Sequence, residues 1–401
     1  MAKLVYLDYA ATTPIASEVL AAMQTAFTSH WGNASSAHGF GQDARKMVEE
    51  ARVKVAALIG SRPDEITFTS GATEANNTVI RSAMDSGKGA DRHLVTSAIE
   101  HPSLLEPVQH AEKHGWKVTR VRVDGTALVD PADVKKSLAH KTALVSVMLA
   151  NNEVGTIEPV AAIAQHARAA GAAIHTDATQ AVGRIPVQVG ELGVDYLSLS
   201  GHKIYGPKGV GALFVRRGAK LVPLLQGGEQ EAGRRSGTLN VPGIVGLGVA
   251  AELARKNLEA RTVHMTTLRD RLEEGLKARV PHCSLNGHPA LRVASHLNMS
   301  FGFVEGEAMM MSLDLQGVAV STGSACSSGS LDPSHVLTAM GFDAARAHAS
   351  LRFSLGAMTT DQDIEAVLDI MPAVIQRLRK MSPSYQDFLK KQTVEHSRAG
   401  V

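Results

Sequence analysis

The stretch Tyr196-Leu197-Ser198-Leu199-Ser200-Gly201-His202-Lys203 decides how the rest of the chain is read. Tyr196, Leu197 and Leu199 make it a short buried strand, and Gly206-Pro207 breaks the chain just beyond. A lysine past the carboxyl end of a buried strand stands where open α/β sheets place their ligands. Taken alone, the pattern describes a surface lysine better than a catalytic one. Two earlier segments repeat it. Ala172-Ala173-Ile174-His175-Thr176 reads as a buried strand followed by Asp177-Ala178-Thr179-Gln180. Ile66-Thr67-Phe68-Thr69 reads as another, followed by Ser70-Gly71-Ala72-Thr73-Glu74 and a helical run. An amine, a carboxylate and a glycine turn opening a helix therefore all fall at strand ends. Pyridoxal phosphate needs that set: an amine for a Schiff base, an acid beside the pyridinium nitrogen and a helix N-terminus for the phosphate.

Outward from these segments, short apolar runs at 65–69, 93–97, 117–123, 143–149, 172–176, 195–200 and 210–215 alternate with helical patterns at 73–85, 102–114, 131–138 and 159–170. Such alternation predicts an α/β fold with a mostly parallel sheet covered on both faces. Before it, the reading gives a strand at 4–7, a helix to about 27, a small-residue loop from Trp31 to Gly41 and a helix at 43–59. After 215 comes a glycine-rich loop from Gln226 to Thr238, then helices near 242–259 and 263–279. From about 280 a smaller α+β unit is expected, with strands at 296–303, 318–320 and 350–355 and helices at 305–315, 333–340 and 360–380. Thr360 and Asp363 form a capping box, and residues beyond about 384 should fray.

Composition narrows the function. The 401 residues suggest two or three domains, and 44 % apolar content allows a large core. A net charge of +2 and 4 % aromatic residues argue for no nucleic-acid and no membrane partner. Two cysteines, Cys283 and Cys326, are too few for a disulfide framework and fit a reducing compartment. The N-terminus lacks the pattern of a signal peptide, so a cytoplasmic protein is expected.

Further residues are candidates for chemistry. His101, in Glu100-His101-Pro102, follows a strand and can stack on a flat cofactor or move protons; a plain loop histidine is the alternative. Asn151-Asn152-Glu153 offers amide donors or is simply a turn. Cys326 lies among small residues in Ser321–Ser334, where a mobile, exposed thiolate can act as nucleophile. Cys283 has no such context and reads as structural. Arg352 alternates with apolar residues and can clamp a carboxylate or simply face solvent. The run Met309–Met311 reads as core.

Together these motifs resemble the cysteine desulfurases of the NifS/IscS type, in the class-V aminotransferase family of fold-type I pyridoxal phosphate enzymes. The resemblance runs nearly end to end, from Tyr6–Pro14 to Ser350–Gly356. Its most specific parts are Ser70–Glu74, Glu100–Pro102, Ala150–Glu153, His175–Gln180, Ser198–Lys203, Arg235–Thr238 and Ser324–Ser327. It implies a large domain at 15–262 and a small domain of 1–14 with 263–401, the latter carrying a mobile cysteine loop at about 321–334. It implies that Lys203 tethers pyridoxal 5'-phosphate and moves the substrate's α-proton. Asp177 would pair with the ring nitrogen, Gln180 with the phenolic oxygen, and His101 would stack on the ring as an acid/base group. Ala72, Thr73, Ser200 and His202 would hold the phosphate, joined by Thr238 from the neighbouring subunit of a homodimer. Asn152 and Arg352 would fix L-cysteine. Cys326 would take its sulfur as a persulfide, leaving L-alanine, and pass it to an acceptor or iron–sulfur scaffold protein. No resident metal is implied, Cys326 being at most a transient iron–sulfur ligand with such a partner. A selenocysteine lyase, an aminotransferase or a non-catalytic scaffold are the other readings. Two departures from the family pattern are Glu229 and Ala232, where a histidine and an arginine usually stand near the subunit boundary. A third is Ala34, where a proline is usual.

Overall fold

The computed structural model describes residues 4–86, 92–138, 141–322 and 332–399. A two-residue strand, Val5–Tyr6 (β1), comes first. The main sheet is built from Ile66–Thr69 (β2), His93–Ser97 (β3), Lys117–Val121 (β4), Thr142–Ser146 (β5), Ala173–Asp177 (β6), Tyr196–Ser200 (β7) and Gly211–Val215 (β8). Their order across the sheet is β2-β8-β7-β6-β5-β3-β4. β8 runs against both its neighbours and the other six strands are parallel, so the expected mostly parallel α/β sheet is present. Every residue of β2, β3, β7 and β8 is buried, because helices cover both faces and leave no polar side for alternation.

One covering layer shows how this is packed. The helix Val241–Lys256 is apolar on most of its circumference, with Ile244, Leu247, Ala250, Ala251 and Ala254 all buried, and it lies against the helix Gly39–Ile59. Gly248 permits this approach: a Cβ there would stand 2.6 Å from the Cβ of Ala51.

A second sheet follows. Cys283–Asn286 (β9), His296–Phe301 (β10), Val318–Ala319 (β11), Ser321–Thr322 (β12) and Ser350–Ser354 (β13) complete the strands. β12-β13-β10-β9 form an antiparallel sheet, and β1 pairs in parallel with β11. Leu272, Leu276, Phe301, Leu351, Phe353 and Met371 are fully buried in its core, against the helices Leu258–Arg279 and Asp361–Lys380. The capping box is formed: Asp363 N donates to Thr360 Oγ1 and Thr360 N to Asp363 Oδ2.

Several expectations need correction. Residues beyond 384 do not fray but form the helix Pro383–Ala399. Tyr385 and Phe388 pack on Phe303, Phe388 also meets His282, and Arg379 stacks on Tyr385, contacts no periodicity count could show. β9 and the helix Ala344–His348 had no clear pattern, being four and five residues long. The helix expected from 43 starts at Gly39, where His38 Nδ1 accepts from Gly41 N. Of the methionine run only Met309 is fully buried, and Met311 is 60 % exposed. Among the described residues no helix is long and apolar enough to cross a membrane, and no cluster of three or more His, Cys, Asp or Glu is placed to hold a metal.

Candidate active site

The chain folds so that the C-terminal ends of the parallel strands open into one cavity of about 580 Å3. Asp177 and Ser200 are the last residues of β6 and β7, and Lys203 follows in a single tight turn, Gly201–Lys203. Ala72, Thr73, His101, Asn152, Asp177, Gln180, Ser200, His202, Lys203 and Arg352 all line it. Ten candidates drawn from six segments of sequence thus meet. A larger cleft of about 790 Å3 opens at the opposite end of the sheet, past Thr142, Ala173 and Tyr196, the first residues of β5, β6 and β7. Volume would favour the larger one. Chemistry favours the smaller, since it alone of the two holds the lysine, the carboxylate and the helix N-terminus.

Lys203 Nζ donates to the carbonyls of Ala10 at 2.6 Å and Ala11 at 2.7 Å. Gln180 Nε2 shares the Ala10 carbonyl at 3.0 Å. His202 Nδ1 meets Thr12 Oγ1 at 3.1 Å, and Thr13 Oγ1 donates to the His202 carbonyl at 2.9 Å. Residues 10–13 therefore wrap the lysine turn, a wall made by a segment two hundred residues away in sequence. Burial lowers His202 to about 4, with Lys203, Lys208 and Arg184 adding to the effect, so its ring is neutral and Lys203 has no imidazolium beside it.

Asp177 is held from two sides. Asn76 Nδ2 donates to Oδ2 at 2.7 Å and Thr179 N to Oδ1 at 2.9 Å. Asn76 also donates to Ser103 Oγ at 2.9 Å, and Ser103 N donates to His101 Nδ1 at 3.1 Å. A nitrogen accepting a backbone N–H carries no proton, so the neutral His101 ring is protonated at Nε2. Burial lowers the His101 pKa, against the opposing field of Asp177, and Lys203 and His335 lower it further. Asn76 escaped the sequence reading. The available signal was its position three residues after Thr73 on one helix, which puts both side chains on the same face.

Arg352 lies on β13, 2 % exposed. Its guanidinium donates to Asp8 Oδ1 at 2.8 Å and to the Asn152 carbonyl at 3.0 Å, while buried Nε has no partner. Three buried carboxyls stand behind the cavity: burial pushes Glu100 and Glu158 up to about 8 and Glu153 up to about 7. Sequence reading passed over their ionisation because a carboxylate's neighbours in space cannot be read from its neighbours in the chain.

The residues present fit pyridoxal phosphate. Buried Thr179 Oγ1 and Gln180 Oε1, both on cavity-lining residues, lack hydrogen-bond partners, and buried polar atoms of that kind normally have one. The first-turn N–H groups of the helix Ala72–Ser86 have no intrahelical acceptor and suit an anion. A Cβ on Gly71 would stand 3.7 Å from Ser200 Oγ, so the Gly71 and Ser200 turns form one wall.

Two candidates lie elsewhere. Cys326 falls outside the described residues. Thr238 is exposed and does not line the cavity. Its loop is nonetheless anchored: Arg235 Nε reaches Glu74 Oε1 at 2.9 Å, and Glu231, 1 % exposed at its side chain, pairs with Arg52 at 2.7 Å. Glu229 and Ala232 are on this loop, Ala232 in a left-handed conformation (φ 55°). Cys283 Sγ approaches the Leu276 carbonyl at 3.7 Å, and burial raises its pKa, in keeping with a structural thiol.

Known proteins resemble this chain in both sequence and fold. Residues 5–367 match the family model described as aminotransferase class-V. A protein named cysteine desulfurase IscS from Dictyoglomus turgidum is 48 % identical over 388 residues, 97 % of this chain and 98 % of that one. A solved NifS-like protein superposes with a TM-score of 0.89 at 37 % identity, covering 94 % of this chain and all of its own. Another solved structure, SspA in complex with cysteine, gives 0.80 at 34 % identity, covering 89 % of this chain and all of the other. With a family model spanning most of its length and a near-full-length desulfurase relative at that identity, the chain belongs to the class-V aminotransferase family, among its cysteine desulfurases.

Proposed function

We propose that this enzyme, a pyridoxal phosphate-dependent cysteine desulfurase by family, binds L-cysteine in the cavity at Lys203 and transfers its sulfur to Cys326. The observation that carries the reading is the meeting of Lys203, Asp177, the Gly71–Thr73 turn and Arg352 on one 580 Å3 cavity. When bound, pyridoxal phosphate supplies an electron sink for the pair released at an amino acid's α-carbon. Ala72, Thr73, Ser200 and His202 would hold its phosphate, Asp177 its ring nitrogen, Gln180 its phenolic oxygen, His101 its ring face and Lys203 its aldehyde carbon. Arg352 fixes the substrate carboxylate through a charge-assisted contact, and Asn152 helps hold the substrate. Lys203 Nζ takes the α-proton and returns it.

The Cys326 thiolate attacks the substrate sulfur. One C–S bond breaks and one S–S bond forms. The pair left on carbon takes up a proton, giving L-alanine and a persulfide with no outside oxidant. Sulfur then passes to an acceptor or iron–sulfur scaffold protein in the cytoplasm. We further propose that residues 15–262 form the cofactor domain and 1–14 with 263–401 the smaller one. Thr238 of a second copy completes the phosphate site of a homodimer. Glu229 and Ala232 act at that boundary and not on the chemistry.

The test is spectral and kinetic. Cys326→Ala should bind the cofactor and stay yellow while sulfide release from L-cysteine stops, and Lys203→Ala should lose the covalently bound cofactor's absorbance. A Cys326→Ala enzyme with full turnover would refute the role of the thiol. A colourless wild type would refute the cofactor.

A further inference from the structure

Residues 7–10 run beside the end of β13 and fix what Arg352 meets. Ser354 N donates to the Leu7 carbonyl at 2.8 Å, Tyr9 N to the Ser354 carbonyl at 3.2 Å and Ala10 N to Ser354 Oγ at 2.9 Å. Arg352 stands two residues before Ser354 on the same strand, so the two side chains share a face. Asp8 forms a parallel bridge with Ser354, and its carbonyl accepts from Ala11 N at 3.0 Å. Its backbone is therefore tied to the strand that carries Arg352. From there Asp8 Oδ1 accepts from Arg352 Nη2 at 2.8 Å.

The charges around the cavity are unequal. Among the described residues that line it, Lys203, Lys208 and Arg352 stand against a single carboxylate, Asp177. Both oxygens of Asp177 already accept hydrogen bonds, from Asn76 and Thr179. Glu153 also feels Arg352, but its Oε2 accepts from Ser334 and burial raises it to about 7, so near neutral pH it carries part of a charge. Asp8, 20 % exposed at its side chain, is the ion-pair partner of Arg352. A buried guanidinium needs such a partner. A carboxylate already on the fork also repels the next one to arrive.

We propose that Asp8 is a positioning residue for the substrate carboxylate, acting through Arg352: it holds one arm of the guanidinium and offsets its charge, so that the cavity grips an α-carboxylate loosely enough to release it. The inference rests on Arg352 taking that carboxylate. L-cysteine and L-alanine carry the same α-carboxylate and differ at the β-carbon. A grip on the shared group holds product as firmly as substrate and does nothing for the chemical step. Two carboxylates on one guanidinium repel each other, which at the effective permittivity of a protein site is worth at least about tenfold in affinity. Part exposure of Asp8 screens the repulsion toward the lower end of that range.

The experiment uses the holoenzyme and compares L-alanine with L-alaninamide, which has the same amine and no carboxylate. Each is measured as a competitor of L-cysteine and by titration of the cofactor's absorbance. Asp8→Asn keeps an oxygen that accepts from Arg352 Nη2 and removes the charge. It should tighten L-alanine and lower the KM for L-cysteine, each about tenfold, and leave L-alaninamide within about twofold of its wild-type affinity. The kcat should not rise, because a grip shared by substrate and transition state lowers KM alone. An unchanged KM with unchanged L-alanine binding would overturn the proposal. So would equal gains for L-alanine and L-alaninamide, which would mean a reshaped cavity. If Asp8→Asn fails to fold, Asp8→Ser removes the same charge and decides between the same outcomes. Arg352→Gln is the control. If L-alanine binds that variant as it binds wild type, Arg352 does not hold the carboxylate and the underlying reading fails. If L-alanine is weakened there while Asp8→Asn changes nothing, only the role of Asp8 is refuted.

Discussion

Arg352 meets the cavity with a guanidinium already engaged: Asp8 and the Asn152 carbonyl take two of its donor groups, and Nε remains unpartnered. A substrate carboxylate arriving there gains a charge-assisted bond worth about 1.5–3 kcal/mol. Arg352→Gln keeps a donor and removes the charge. It should raise KM for L-cysteine about 30-fold, the equivalent of ~2 kcal/mol, with the cofactor spectrum unchanged. An unaltered KM would remove Arg352 from substrate binding. At this scale the sequence was informative where a residue's role follows from its place at a strand end, as for Asp177, Ser200 and Lys203. It was silent on who holds whom. Asn76 bridging Asp177 and Ser103, and Ala10 receiving Lys203, join segments far apart in the chain, and no local pattern marks such a pair.

The loop from Gln226 to Thr238 shows how one element is held in place. Glu231 sits at φ 50°, a conformation non-glycine residues rarely adopt, yet its carboxylate is buried against Arg52 and accepts from Phe68 N at 2.7 Å. Arg52 stacks 4.7 Å from the Phe68 ring centroid, so the ion pair ties the loop to β2 beside the Ser70–Glu74 turn. Breaking a buried pair by removing one partner costs about 3–5 kcal/mol, because the other charge stays buried. Glu231→Ala should therefore destabilise the fold by about 3 kcal/mol in denaturant titration. A loss under 1 kcal/mol would show that Glu49, which Arg52 also meets at 3.1 Å, suffices as its partner. The sequence marked this loop by its glycines and placed Glu229 and Ala232 at a boundary. The ion pair that anchors it was invisible, since Arg52 lies in a helix nearly two hundred residues earlier. The parallel strands were legible because each is a dense apolar run. β9 and the helix Ala344–His348 were not, being too short for any period to register.

Across the whole molecule, buried ionisable groups give a pH signature. Glu100 and Glu158 are raised to about 8 and Glu153 to about 7, from an ordinary 4.5. Between pH 4.5 and 8 the folded state therefore keeps protons that the unfolded chain releases, and stability falls as pH rises. His175 and His202, lowered to about 4 from 6.5, act with the opposite sign but only below pH 6.5. From pH 6.5 to 8 the carboxyls dominate. Tm, measured at one saturating cofactor concentration, should decline over that window, and Glu100→Gln should flatten the decline. A flat wild-type profile would mean that these carboxyls reach solvent. The catalytic claim has a more direct test, because the chain has two cysteines and they make opposite predictions. Holoenzyme given L-cysteine, then alkylated and digested, is analysed by mass spectrometry for the added sulfur atom. The account predicts the extra sulfur on the peptide containing Cys326 and none on Cys283, whose thiol burial keeps protonated. Sulfur on Cys283, or alanine formed with no sulfur on either cysteine, would contradict it.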